Sequence, residues 1–535
     1  LLKERTFLTG CGGTEGEDAL SVVAPAQAGA QCRYRRPLKT LDSRVRGNDG
    51  LLLVAPAYAG GGRLKPPEMT TEYRNDARAS RHDAAKQEQQ EQQEQQEQQE
   101  QQQGAQNMNR HYNRRRILSA AAGAVGAVAC APFASFGAAL ENAIDNANLA
   151  SSASDLRITD LKCGFIRGGA SLFVKIYTNQ GIYGVGEGVD AVRGTYHLVM
   201  GFAPRLRNRN PLDVHRIFEE LRRGGVFGGA QSGMYIAVLS AIETALWDLA
   251  GKALDVPVYR LLGGKFRDRV RVYMDTALYQ TSLPTPADFA ANAREAVDMG
   301  MTAIKFDLDQ ANDPARYDAY NWTASPGELQ RMVDQIAAAR EEVGPNIDLC
   351  CDMHGRYDLP TAKRVAELME PFNLMWLEEP VPAENVAAYK EINASTSTPI
   401  CAGENHYLAN GFLPLLEAGA VDIIMPDLQK AGGLGEGQRI ANLANLYYIP
   451  FAPHMVASYL GAMAAAHVCA SVPNFLILEW QIYFHKDPMF KEIVTFDGDM
   501  VVDGFIPLSE KPGIGVDINE EAMRQYAPQG VPFFA

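Results

Sequence analysis

Between residues 270 and 479 the chain repeats one unit: a short apolar run ending in an acid or a histidine, then a longer amphipathic stretch. The runs fall at 270–275, 303–307, 347–352, 374–378, 399–404, 421–427, 448–454 and 475–479. Their composition, apolar and β-branched, suits strands buried on both faces of a parallel sheet. Glu378 follows Asp352 by 26 residues and Glu404 follows Glu378 by 26; Asp427, His454 and Glu479 then follow at 23, 27 and 25. One strand, one helix and two loops take about that much chain. Eight such strands in series predict an α/β fold of the (β/α)₈ barrel type. The C-terminal strand ends of such a barrel converge on one face. Six reactive side chains in phase should therefore share one pocket, whereas scattered solubilising acids would not keep the phase.

The intervening stretches read as helices. Residues 326–343 begin with Ser325 in capping position and Pro326 at the first helical position, and 434–446 is a second example. The flanks, 155–265 and 490–535, leave the pattern. Residues 172–178 and 181–186 read as a hairpin turning at Asn179-Gln180. Residues 235–249 read as a helix whose apolar face carries Ile236, Leu239, Ile242, Ala245, Leu246 and Leu249. These predict an α+β domain packed on the barrel.

Residues 1–107 look unlike a folded domain: 87–103 repeat Glu-Gln-Gln, a tract that buries nothing and is expected to be disordered, and the region before it shows no sustained periodicity. Residues 108–139 differ. Arg114, Arg115 and Arg116 precede an uncharged Ala- and Gly-rich run at 117–140, with small residues near Ala134 to Ala139. This resembles a twin-arginine export signal and predicts a periplasmic enzyme in transient contact with the membrane, with translation starting at Met108. Two other readings compete: the run is long enough for an uncleaved anchor, and Cys130 loosely suits lipoprotein processing. A cytoplasmic location is the remaining alternative. The expected domains are thus 1–107 (low complexity), 108–139 (export signal), 150–268 (cap), 269–485 (barrel) and 486–535 (return to the cap).

A formal net charge of −14 without a basic patch argues against nucleic-acid binding. Eight cysteines, two of them adjacent (Cys350, Cys351) and none in a C-x-x-C pair, do not make a disulfide framework and read as core residues.

Asp352, Glu378 and Glu404 would bring three carboxylates together, and these repel unless a cation sits among them. All-oxygen ligands suit a hard cation such as Mg²⁺. His454 and Asp427 end neighbouring strands, within reach of a hydrogen bond that would orient the imidazole as a base. His354, two residues past Asp352, shares its side-chain parity and would approach from another side. Abstraction of a proton α to a carboxylate would give an enediolate stabilised by the cation. Glu479 would contact a carboxylate oxygen or a hydroxyl. With a β-hydroxyl present, His454 as base and His354 as acid would eliminate water.

Several motifs, in order, carry a resemblance over residues 155–528: AIETALWDLAGKALDVPVYRLLGG (241–264), CDMHGR (351–356), WLEEPVP (376–382), AGE (402–404), PDLQKAGGLGE (426–436), APHM (452–455) and KPGIGVDIN (511–519). The chain resembles the mandelate racemase/muconate lactonizing enzyme-like branch of the enolase superfamily. The resemblance implies a modified (β/α)₇β barrel under an α+β cap built from both chain ends. It also implies Mg²⁺ on Asp352, Glu378 and Glu404, a His454–Asp427 base dyad and a homo-oligomer. The Asp-x-His-Gly-Arg form at 352–356 is closest in motif to galactonate-dehydratase-like acid-sugar dehydratases. There the residue matching His354 protonates the leaving hydroxyl, and Glu479 matches an electrophilic glutamate.

One departure stands out. Racemases of this branch carry Lys-x-Lys on the second strand, and here the sequence is Lys305-Phe306-Asp307. Lys305 remains available for the substrate carboxylate, or for a structural ion pair. Aspartate at 307 weakens a racemase or epimerase reading, which needs two opposed bases. A third reading is a non-catalytic exported sugar-acid binder on the same scaffold. The glycine-rich segments at 168–171 and 224–232 are candidates for substrate specificity, and the long connection at 310–325 is a candidate contributor to the pocket or to an oligomer interface.

Overall fold

In the computed structural model the described residues are 155–535, apart from 167–170, 193, 277 and 279–282. The predicted low-complexity and export segments lie outside them, as does most of the 168–171 loop.

The cap opens with a three-stranded antiparallel meander: β1 (Ile158–Ile166), β2 (Ser171–Thr178) and β3 (Tyr183–Gly188). The last two are the expected hairpin, and β1 adds a strand that the sequence pattern had not marked. Helices α1 (Thr195–Leu206), α2 (Val214–Gly224) and α3 (Gly233–Leu254) follow. The apolar positions read on α3, from Ile236 to Leu249, are all buried. The helix outruns the predicted 235–249 because nothing breaks it before Asp255, which turns left-handed at φ +56°.

The barrel strands are β4 (Arg269–Asp275), β5 (Ala303–Asp307), β6 (Asp348–Asp352), β7 (Trp376–Glu378), β8 (Ile400–Ala402), β9 (Ile423–Ile424) and β10 (Leu478–Gln481). They pair in parallel in sequence order, and β10 closes onto β4. Between β9 and β10 runs a seventh staved segment, held by single bridges from Phe451 to Ile424 and to Phe475. The predicted strands at 421–427 and 448–454 are therefore shorter than expected. Pro426, Pro450 and Pro453 have no N–H to offer the ladder. Seven helices alternate with the strands: α4 (Pro286–Asp298), α5 (Pro326–Val343), α6 (Leu359–Met369), α7 (Val386–Asn393), α8 (Leu408–Ala418), α9 (Leu434–Leu446) and α10 (Tyr459–Ser471). This is a (β/α)₇β barrel. The predicted cap of α5 is present: the Ser325 hydroxyl accepts from Glu328 N, and Ser325 N donates to the Glu328 carboxylate.

The C-terminal segment touches both barrel and cap. Phe505–Pro507 pairs antiparallel with the start of β4, and Phe534 N donates to Cys163 O in β1. Cys163, Cys350, Cys351, Cys401 and Cys469 are buried and free, as the sequence implied.

A buried carboxylate fastens cap to barrel. Glu243 of α3 accepts hydrogen bonds from Leu434 N (2.7 Å) and Gly435 N (2.9 Å) at the start of α9, and from Trp247 Nε1 (2.6 Å). It satisfies helix-end donors and sits at the positive end of the helix dipole. Gly433 (φ +90°) makes room for it, because a Cβ there would lie 2.2 Å from Glu243 Oε2. Glu243→Ala leaves these donors buried and unpaired. It is expected to lower unfolding stability by about 3 kcal/mol, measured by urea denaturation; a loss near zero would show that the cap is held without it.

Candidate active site

A cluster of buried side chains fills the barrel interior: Tyr273, Ala303, Cys350, Trp376, Cys401, Ile423, Met425, Ala452 and Ile477. Side chains two residues further along a strand point the same way. That places Asp275, Lys305, Asp352, Glu378, Asp427, His454 and Glu479 on the next level up, at the C-terminal mouth. Glu404 breaks the parity, lying three residues past Cys401. Gly403, at φ +148°, makes the correction; a Cβ there would come within 2.7 Å of the Phe412 ring and 2.8 Å of Met425 C.

Asp352, Glu378 and Glu404 converge as predicted, each offering an oxygen within 4.8 Å of the others. Glu378 is also held by Trp376 Nε1 (3.0 Å). An all-carboxylate, largely buried donor set matches a hard divalent cation in charge and ligand type, so the residues fit the metal implied by the sequence. Lys305 Nζ lies 3.1 Å from Asp352 Oδ2, 3.3 Å from Glu378 Oε1 and 3.1 Å from Glu479 Oε1. Burial alone would lower the lysine pKa, but Glu378 and Glu479 outweigh it and hold the ammonium charged. Lys305 thus pairs with the acids of the mouth.

The His454–Asp427 dyad is formed. His454 Nδ1 lies 2.8 Å from Asp427 Oδ2, while Asp427 Oδ1 accepts from Gln429 N (2.8 Å). An ionised carboxylate only accepts, so Nδ1 carries the proton and Nε2 faces the pocket. Nε2 is 3.0 Å from Glu404 Oε2 and 3.6 Å from Glu479 Oε2. Burial disfavours the imidazolium, but Glu479 and Glu404, with the Asp427 hydrogen bond, raise the histidine pKa well above its usual value. A cation taking up the Glu404 charge would relieve that pull, which is the direction a base requires. Glu479 accepts from Met455 N and Gln481 Nε2, both at 2.9 Å.

His354 reaches the pocket by another route than strand parity. β6 ends at Asp352, and His354 turns left-handed (φ +45°) with its N–H bonded to Asp352 Oδ1 (2.8 Å). Such a backbone is uncommon for a residue with a Cβ and is found at functional turns. His354 Nδ1 lies 2.8 Å from Asp309 Oδ1, leaving Nε2 3.5 Å from Asp352 Oδ2. Arg356 Nε in turn holds Asp309 Oδ2 at 2.7 Å. The mouth therefore contains a second His–Asp dyad, which sequence reading missed. The only signal was that Asp309 continues the alternation Lys305, Asp307, Asp309 beyond the strand end.

The mandelate racemase/muconate lactonizing enzyme N-terminal domain model matches residues 159–263, and the enolase C-terminal domain-like model matches 288–522. The chain belongs to this branch of the enolase superfamily, whose members bind a divalent metal. Among its relatives is the D-xylonate dehydratase of Haloferax volcanii, 38% identical over 392 residues, covering 73% of this chain and 94% of that one. A D-galactonate dehydratase of Variovorax paradoxus is 33% identical over 355 residues, covering 65% and 89%. The crystal structure of a mandelate racemase/muconate lactonizing enzyme-like protein from Rubrobacter xylanophilus is 46% identical with a TM-score of 0.68, covering 71% of this chain and 99% of that one.

Proposed function

We propose that the chain is a Mg²⁺-dependent hydro-lyase that converts an aldonic or aldaric acid to a 2-keto-3-deoxy acid. The observation that carries this reading is the pair of histidines at one mouth, each fixed through Nδ1 by its own aspartate and each presenting Nε2 beside the acid cluster. The relatives that dehydrate D-xylonate and D-galactonate support the substrate class. A Mg²⁺ ion held by Asp352, Glu378 and Glu404 would bind the substrate carboxylate and stabilise negative charge on its oxygens.

His454 Nε2 takes the α-proton, and Asp427 steadies the imidazolium that results. Glu479, anchored by Met455 N and Gln481, and Lys305 line the carboxylate end of the pocket. The electron pair left at the α-carbon forms the Cα–Cβ double bond as the Cβ–O bond breaks. His354 gives its Nε2 proton to the departing hydroxyl, which leaves as water. Asp309 stabilises the charged form of His354 before the transfer. The enol product then tautomerises to the 2-keto-3-deoxy acid.

A library of aldonic and aldaric acids, assayed for 2-keto-3-deoxy product with Mg²⁺ and with a chelator, tests the reading. His354→Asn is expected to keep exchange of the α-proton with heavy water while elimination falls about 10²–10⁴-fold. Exchange without elimination in the unaltered enzyme, for every acid, would instead favour an epimerase, which inversion at the α-carbon would then establish.

A further inference from the structure

Asp307 occupies the second-strand position where the racemase pattern has lysine, and nothing in the reaction above uses it. It lies two residues beyond Lys305 on β5 and pairs in register with Asp352 on β6. Its side chain is 1% exposed, yet neither carboxylate oxygen has a hydrogen-bond partner. One of those oxygens lies within 4.8 Å of ligand atoms of both Asp352 and His354. Other acids of the mouth differ from it: Asp352 meets Lys305, Asp309 meets His354 and Arg356, and Asp427 meets His454. A buried carboxyl group with no partner is costly and is ordinarily satisfied by something that arrives.

We propose that Asp307 is the hydrogen-bond partner of a hydroxyl on the substrate chain beyond the leaving group, and so sets which polyhydroxy acids the enzyme accepts. The assignment rests on the dehydratase reading and deepens it. A hydroxyl both donates and accepts, so it satisfies Asp307 in either protonation state. It also leaves His354 Nε2 free to deliver its proton, which a second cation held by Asp307, Asp352 and His354 would not. Because Asp307 lies beside His354, the hydroxyl it meets is one on the His354 side of the pocket.

The experiment compares the best substrate with analogues deoxygenated at single positions beyond the leaving group, using the unaltered enzyme, Asp307→Ala and Asp307→Asn. In the unaltered enzyme, one analogue should lose about 10- to 100-fold in kcat/KM, the cost of leaving a buried polar group without its hydrogen bond. In Asp307→Ala the parent acid should fall to the level of that analogue, while the analogue itself changes little. Thermal melts check that both variants fold, and the isosteric asparagine keeps the comparison open should alanine fail. The proposal is overturned if the variants discriminate among the analogues as the unaltered enzyme does. It is also overturned if equilibrium dialysis with Mg²⁺ finds two ions per chain in the unaltered enzyme and one in Asp307→Ala. An unaltered enzyme that dehydrates none of the acids overturns the dehydratase reading itself, a failure visible before any variant is made.

Discussion

Replacing His454 by asparagine is expected to lower kcat for dehydration about 10²–10⁴-fold, the usual contribution of a positioned base. It should also abolish exchange of the substrate α-proton with solvent. His354→Asn should spare that exchange, so the two variants separate the two proton transfers. The geometry sets the contrast: His454 Nε2 sits between Glu404 and Glu479, whereas His354 Nε2 sits beside Asp352 on the opposite flank of the cluster. Affinity for Mg²⁺, read by calorimetric titration, should change little in His454→Asn, because the three carboxylates remain. Proton exchange surviving at the unaltered rate would place the base elsewhere in the mouth.

Lys305→Met should produce the largest change in stability. The ammonium is the one permanent cation in contact with Asp352, Glu378 and Glu479 among the described residues, and all four side chains are nearly without solvent. Removing one partner of such a buried cluster typically costs about 3–5 kcal/mol. In chelator, the variant should therefore melt well below the unaltered enzyme. Mg²⁺ should restore much of the difference, since a ligand that binds only the folded state stabilises it in proportion to its affinity, and the acids left bare should bind it more tightly. The measurement is a thermal melt of both proteins with Mg²⁺ and with chelator. Melting temperatures indifferent to Mg²⁺ in both proteins would remove the divalent-cation site from the account.

Most of the barrel and its acid triad was legible because both are periodic. A strand carries its own signature in composition, and its C-terminal residue inherits a position from the architecture. Asp352, Glu378, Glu404, Asp427, His454 and Glu479 could thus be placed in one mouth from spacing. The same logic misjudged strand lengths where proline interrupts the ladder, at Pro426, Pro450 and Pro453. It gave the right location for His354 for an incomplete reason, since a left-handed turn, and not strand alternation, aims that ring.

The sequence by itself therefore determined the barrel, the order of its reactive strand ends and the chemistry available at the mouth. These follow from local periodicity and from the identity of the side chains. Beyond the His454–Asp427 pair, which the strand spacing already implied, only the tertiary structure decided which of those groups act as pairs. Asp309 lies 45 residues from His354, Lys305 lies 73 from Glu378, and Glu243 lies 191 from the helix end it satisfies. No composition or period in a single chain encodes such a contact. It exists because closing the sheet brings neighbouring strand ends within hydrogen-bond reach, and because burial then penalises every polar group left without a partner. Asp307, one of the buried groups that the fold leaves without a hydrogen-bond partner, is where that penalty points to the substrate.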